Sequence, residues 1–519
     1  MDQQNTSYQK LQHIKSVYND CEMKNIKHII LGVLITSMVV LASYVWFATA
    51  GTWKIWPTST NYYNLLANAF IQGQVSLDLE VPQELLALSN PYKISERKNI
   101  DYLWDASLYR GRYYLYWGPL PAIVVAVIKL LQPLDISDNL IVFAAAVGLF
   151  IFQVLFATRI WLRSFQQLPA WTLFVGILLM GLVVPINWMI HRPEIYEAAI
   201  MSAQFFLMGG IYFAYRAFEK GRILSGWLAW ASICWLCAIA SRIIVIFPVM
   251  FLLFLILIRI LRTNGMQWNP IFIRTILALG IPMAVGAIGL GWYNFARFES
   301  VFDFGFEYAL TIFNAREHES AIFLGEYILP NTYYYLINPP VKISSFPYFR
   351  AQSSGEPEAF GIQPPKLYYA EKITGAIYVL PFMVFAFVPL VAKIAQMVKK
   401  RQYDSNESEK NLSWIINALG GATVVAAVTL FTYIFSMMRF YADVTPMFIT
   451  LAVIGFWCGH QAIKSSLLGK FVYTSFAVLL ASISIIIPNL LALYSSQRLF
   501  EYSPQVFASL DAFIKSFLH

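Results

Sequence analysis

Apolar runs of about twenty residues recur along this chain of 519 residues, and each is long enough to cross a hydrocarbon core of roughly 30 Å. Lipid offers no partner to an unpaired peptide group, so such runs must satisfy their backbone internally and read as helices. A content of 58% hydrophobic and 13% charged residues is too apolar for a soluble globular protein. The expected fold is all-α: a polytopic helical membrane protein with about 11 transmembrane helices and interfacial helices in its first outer loop. The net charge of +8 then reflects basic residues anchoring helix ends on one side, and it does not point to nucleic acid.

Spans are expected at about 28–50, 139–158, 171–190, 195–215, 224–240, 243–260, 273–293, 374–395, 415–437, 446–462 and 471–494. Lys10, Lys15, Lys24 and Lys27 precede the first span and place the N-terminus in the cytoplasm. The run 121–131, PAIVVAVIKLL, is too short to cross and carries Lys129 between flanking prolines. Parity supports a re-entrant or juxtamembrane reading. If it does not cross, Arg159/Arg163, Arg216/Lys220/Arg222, Arg259/Arg262, Lys399/Lys400/Arg401 and Lys464/Lys470 all fall inside, as the positive-inside bias requires. The chain so divides into a cytoplasmic segment 1–27, a membrane domain 28–495 with outer loops 51–138 and 294–372, and an outer amphipathic segment 496–519. That arrangement suits a multi-pass protein of the plasma (inner) membrane with an extracytoplasmic C-terminus. No cleavable signal peptide is expected: the polar head is long and the first apolar run is of spanning length.

The first outer loop concentrates chemistry. Residues 61–71, NYYNLLANAFI, have helical spacing, with Tyr62, Leu65, Leu66, Ala69 and Phe70 on one face; this reads as an interfacial helix. Residues 97–121, RKNIDYLWDASLYRGRYYLYWGPLP, combine Tyr and Trp with Asp101, Asp105, Arg110 and Arg112. Aromatic faces, carboxylates and guanidiniums together can hold a sugar or a lipid phosphate; the alternative is an aromatic belt at headgroup level. The second outer loop, 294–372, is too aromatic for disorder and long enough to be functional. Its tyrosine triplet Tyr333–Tyr335 is flanked by Pro and Gly breaks.

Candidate site residues gather at outer helix ends and in outer loops. They are Asp105 with Asp101; Asp78 and Glu80; His191, Arg192 and Glu194 with Glu197 one turn on; Arg439, Tyr441 and Asp443; and Arg242. Ionisable groups that enter spans are costly and mark function, although a terminal Arg or Glu can also simply snorkel. Cys21, Cys234, Cys237 and Cys458 are too scattered for a disulfide framework, and the Cys234–Cys237 pair lies in an apolar run, which argues against a metal or redox role.

Six stretches carry a family resemblance: YYNLLANAFIQGQVSLDL, LWDASLYRGRYYLYWGPLPA, HRPEIYEAAI, IASR, YNFARFESVFDFGFEYALT and MRFYADVTP. With the layout of one span, a large first outer loop and about ten further spans, they resemble the GT-C superfamily of membrane glycosyltransferases. The nearest likeness is to the bacterial branch of protein O-mannosyltransferases and lipid A aminoarabinose transferases. The resemblance implies transfer of a hexosyl- or pentosyl-type sugar from a polyprenyl-phosphate donor to an extracytoplasmic acceptor hydroxyl. A first-loop carboxylate would act as general base or help bind a divalent metal, and a basic residue at an outer helix end would hold the lipid phosphate. No nucleotide cofactor is implied, and the acceptor is left open. Related transferases carry an acidic pair four and three residues ahead of a Tyr; matched on Tyr63, those positions are Ser59 and Thr60, which cannot act as bases. Asp105 becomes the replacement base, with Asp78 and Glu80 next, while Arg439 and Arg192 become phosphate ligands.

The competing class is a lipid-linked sugar transporter or flippase, or a non-catalytic partner in envelope assembly. Transporters tend to show internal repeats and interrupted spans at the midplane. Neither is evident here, and ionisable residues at mid-span are scarce.

Overall fold

The computed structural model describes residues 26–219, 223–264, 269–353, 365–398, 407–463 and 466–518. Lys10, Lys15, Cys21, Lys24, Lys220, Arg222, Lys399–Arg401 and Lys464 lie outside them. Among the described residues, eight helices are long and apolar enough to cross a membrane: Ile26–Ala48, Asp138–Ser164, Trp171–His191, Ile195–Ala217, Ile243–Thr263, Pro270–Phe298, Glu407–Phe431 and Leu467–Ser495. The other three expected spans appear as the helices Ser225–Ser241 and Thr445–Ala462 and a broken segment. Sheet is confined to three two-stranded pairs. The chain is a polytopic helical membrane protein.

Ile195–Ala217 is the central element, packed between Asp138–Ser164 and Ser225–Ser241, with Pro270–Phe298 beyond the latter. Glu407–Phe431 lies against Ile246–Asn264 and Thr445–Ala462. Where apolar side chains face apolar lipid, helix association draws on close packing and polar bonds between helices. Ser232 Oγ donates to Leu279 O (2.6 Å) and Trp235 Nε1 to Leu207 O (3.3 Å), fastening three helices at buried positions.

Several expected elements change form. The 374–395 span is a short helix Ala376–Val379, a 3-10 stretch Pro381–Phe387 and a helix Val388–Val398, because Pro381 interrupts the bonding ladder. The 171–190 span breaks between Leu182 and Ile186, where Pro185 stands. The 415–437 span stops at Phe431; Phe435–Ser436 becomes a strand and Met438–Asp443 a 3-10 turn. The C-terminal amphipathic segment divides into Arg498–Tyr502 and Pro504–Leu518.

The short apolar run forms the helix Leu120–Leu131, and both of its ends lie on one face of the bundle. At its start, a side chain on Gly118 would meet the Ala240 carbonyl oxygen at 2.1 Å, next to the end of Ser225–Ser241. At its end, Lys129 Nζ donates to Asn64 Oδ1 (2.8 Å) on the neighbouring helix Tyr62–Ile71. That helix buries Tyr63, Asn64, Leu66, Ala67 and Ala69. Of the face read from periodicity, Leu66 and Ala69 are buried while Tyr62, Leu65 and Phe70 are half-buried, because the helix packs against another helix. The loops on this face are sewn to one another. Tyr369–Ala370 pairs in parallel with Phe435–Ser436, Asn331 Nδ2 donates to Phe431 O and Tyr433 O, and Arg97 Nη2 donates to Thr311 O at 2.7 Å.

Candidate functional site

Asp105 sits on this loop face just before the hairpin Ser107–Tyr109/Arg112–Tyr114. Its backbone is left-handed (φ 57°), a conformation Asp tolerates better than most residues. Its N–H donates to Leu310 O (3.2 Å), which fixes it against the second loop. The side chain is 5% exposed, and Oδ1 makes no hydrogen bond. Burial pushes the carboxyl up to about 6; Thr311, Arg439, Trp104 and Arg97 draw it back only in part.

Aromatic rings wall the surroundings. Tyr62 donates its hydroxyl to Trp104 O (2.7 Å), and its ring lies 6.1 Å from Trp117. Trp117 stacks on Tyr116 at 4.1 Å and meets Tyr196 edge-on at 5.4 Å. The Arg439 guanidinium lies 4.4 Å above the Tyr196 ring. Burial is the main cause holding the Tyr62 phenol up at about 12, followed by the fields of Asp105, Asp138 and Glu194. Tyr62 therefore stands between Asp105 and the acidic cluster described next.

That cluster joins three stretches of chain: Arg192 to Glu197, Glu371 and Arg439. Arg439 Nη1 lies 3.2 Å from Glu371 Oε2 and 3.8 Å from Glu197 Oε1. Arg192 reaches Glu371 Oε1 (3.0 Å) and Glu194 Oε1 (3.3 Å). Glu194 and Glu197 also form a reciprocal capping box at the start of Ile195–Ala217, in which each carboxylate accepts from the other residue's backbone. Burial alone would raise the Glu371 carboxyl, but Arg439 and Arg192 reverse this and hold it below its ordinary value. Beyond the cluster, a polar cavity of about 460 Å³ is lined by Ser59, Arg192, Glu194, Glu371, Lys372 and Arg498, among others. Arg498 donates to Pro57 O (3.3 Å) and to the Ser59 hydroxyl.

The remaining candidates divide clearly. Arg242 grips Asp443 through Nε and Nη2 (3.1 and 2.9 Å), and Gln204 adds a bond at 3.4 Å; this pair adjoins the site, with Arg242 5.2 Å over Phe440. Tyr441 is structural: its hydroxyl donates between Tyr335 O (2.5 Å) and Thr374 O (2.9 Å). His191 is buried with Nδ1 3.1 Å from Phe47 O. Asp78, Glu80 and Asp101 lie on the surface, Asp78 accepting only from Gln72. Arg110 and Arg112 also fail to reach Asp105. Arg110 sits at the hairpin tip with positive φ followed by Gly111, the twist a two-residue turn demands, and it pairs in the open with Glu299. Arg97 and Arg439 occupy the position expected of them.

Three residues escaped the sequence reading. Glu371 abuts an apolar run that looks like a span from Thr374 onward, and the charged Glu371–Lys372 doublet was its signal. Arg498 lies in a segment read only as amphipathic. Asp138, at the start of its span, accepts from Thr60 Oγ1 (2.5 Å) and from the Tyr62 and Tyr63 N–H groups (3.0 and 3.2 Å). It thus caps the helix Tyr62–Ile71, alongside the place of the missing acidic pair.

For a divalent cation the donors do not fit. Among the described residues no three His, Cys, Asp or Glu side chains group together, and Glu194 and Glu371 already face guanidiniums, whereas such ions need several convergent oxygens.

No family model matches the chain, and no curated protein matches it. Among solved structures it is similar to the apo oligosaccharyltransferase of Archaeoglobus fulgidus, at 11% identity and a TM-score of 0.48, over 89% of this chain and 56% of that one. It is similar to ArnT from Cupriavidus metallidurans bound to undecaprenyl phosphate at 11% identity and a TM-score of 0.38, over 91% and 75%. The chain spans about half the length of the oligosaccharyltransferase structure. These values are too low to assign a family.

Proposed function

We propose that the chain is a membrane glycosyltransferase that moves a sugar from a polyprenyl-phosphate donor to an acceptor hydroxyl on the extracytoplasmic side. The observation that carries this reading is Asp105, a buried carboxyl with a free oxygen, held near pH 6 beside aromatic rings suited to stacking on a sugar. A general base needs a pKa close to the working pH. Asp105 takes the proton of the acceptor hydroxyl as its oxygen attacks the anomeric carbon. The bond from that carbon to the phosphate oxygen breaks, and polyprenyl phosphate leaves.

Arg439 is committed to Glu197 and Glu371 and acts by fixing Glu371 and polarising Asp105. The phosphate falls to the adjoining cavity, where Arg192, Lys372 and Arg498 outnumber Glu194 and Glu371. Charge-assisted bonds from such donors suit a developing phosphate anion.

The test is Asp105→Asn, assayed for transfer from a polyprenyl-phosphate sugar in membrane vesicles. Loss of the proton acceptor lowers turnover by roughly 10²–10⁴-fold. In the wild type kcat/KM rises as pH climbs through about 6, where Asp105 ionises, and the variant lacks that limb. A variant with near-normal turnover and an unchanged pH profile overturns the assignment.

A further inference from the structure

On the opposite face of the bundle, three guanidiniums converge on one carboxylate. Glu219 follows the helix Ile195–Ala217 and its side chain is only 2% exposed. Arg159 binds it through Nε and Nη2, the latter at 2.6 Å. Arg163 lies 3.5 Å from it and donates Nη1 to the Glu219 carbonyl (3.0 Å). Arg216 lies 3.1 Å away and also stacks over Trp227 at 4.6 Å. Arg259 is within electrostatic reach of the same group of residues around Tyr215. It donates to Asn411 and has Glu407 in its field, and its Nη1 is buried without a hydrogen bond. Four cations thus face two carboxylates. Each guanidinium carries five N–H donors, and among the described residues Arg159, Arg163 and Arg216 direct only part of theirs to protein acceptors.

The direction in which this excess opens is set by the helix Asp138–Ser164. Steps of four residues keep one face of a helix, and along that face run Ile151, Leu155, Arg159 and Arg163. Ile151 and Leu155 are 49% and 45% exposed, and the side chains of Arg159 and Arg163 are 33% and 34% exposed. An apolar, lipid-facing stripe therefore leads directly into a patch of partly exposed guanidiniums.

We infer that Arg159, Arg163 and Arg216 form a binding site for the phosphate of an anionic glycerophospholipid, with an acyl chain lying along Leu155 and Ile151. A tie between helices needs one arginine for one carboxylate, and Arg159 alone supplies it. The excess positive charge at a membrane boundary is what a lipid phosphate neutralises, and the planar fork of arginine matches phosphate oxygens. The site lies on the face away from Asp105 and does not rest on the function proposed above.

Purified full-length protein in a neutral detergent tests this by native mass spectrometry with added phosphatidylglycerol, phosphatidylcholine or inorganic phosphate. Wild type should retain phosphatidylglycerol at least about fivefold over phosphatidylcholine, and Arg163→Gln should lose about fivefold with its melting temperature unchanged, since Glu219 keeps its double bond to Arg159. Glu219→Gln, which removes the counter-charge, should bind more phosphatidylglycerol; should that variant not fold, Arg163→Gln decides alone. Equal retention of the two lipids, or unchanged retention in Arg163→Gln, overturns the inference. Displacement of phosphatidylglycerol by equimolar inorganic phosphate also overturns it, because the site then recognises free phosphate and not a lipid.

Discussion

Asp105 shows what burying a single carboxyl does to stability. Its carboxyl is protonated more readily in the folded chain than in the unfolded one, since burial raises it to about 6. Between the unfolded value near 4 and the folded value near 6 the native state holds the extra proton, so stability falls as pH rises through that window. Above it the cost is constant, on the order of 2–3 kcal/mol for a shift of about two units. Asp105→Asn removes the cost without emptying the space. Its melting temperature in detergent should exceed that of wild type at pH 8, and the difference should close as pH falls below the unfolded value of about 4. A variant no more stable than wild type at pH 8 would mean that the ionised carboxylate is bonded and not merely buried. The position was legible because Asp and Arg among clustered aromatics in an outer loop is an uncommon mixture. Its electrostatic partners were not, because Arg110 and Arg112 are near in sequence and turned away by the hairpin, whereas Arg439 is distant in sequence and brought close by the strand pair Tyr369–Ala370/Phe435–Ser436.

At the scale of elements, hydrophobic periodicity located the uninterrupted helices, since length and apolarity suffice to define a helix in lipid, although their ends run up to eight residues off, as at Glu407–Phe431. It failed where a proline divides an apolar run, as at Pro381, because composition does not register a lost N–H. Periodicity also found the buried face of Tyr62–Ile71 only in part, at Leu66 and Ala69, since a short helix in a loop answers to its protein neighbours. The helix Leu120–Leu131 is the informative case. Its lysine and its length argue against a span, and the structure supplies the contact at its start, Gly118 against the Ala240 carbonyl. Gly118→Ala should therefore destabilise the protein by about 1–3 kcal/mol, the usual cost of overpacking, and loosen the wall containing Trp117. Gly280→Ala is the control, since nothing lies within 4 Å of a side chain there and alanine favours a helix interior. Thermal unfolding of the two variants side by side decides it; equal melting temperatures would show that the Gly118 contact yields.

At the scale of the whole molecule, parity is the claim most open to direct measurement. Asp135 follows the short helix, Glu317 lies in the second long loop, and Gln166 lies between Asp138–Ser164 and Trp171–His191. Single cysteines at the three positions, in a background freed of the native cysteines, should divide by side. An impermeant thiol reagent added outside intact cells should label positions 135 and 317 and spare 166. Labelling of 166 together with 317, or of 135 without 317, is incompatible with this fold.

The bond from Arg498 to the Pro57 carbonyl joins positions 441 residues apart, and the polar cavity next to the Arg192–Glu371 pair draws its lining from Ser59, Arg192, Glu371 and Arg498. A chain emerging from a ribosome makes these contributions in sequence order, so most helices are in place before the last wall exists. The cavity is therefore completed late in biosynthesis: a nascent chain that has inserted every helix up to Thr445–Ala462 still lacks Arg498, which lines it.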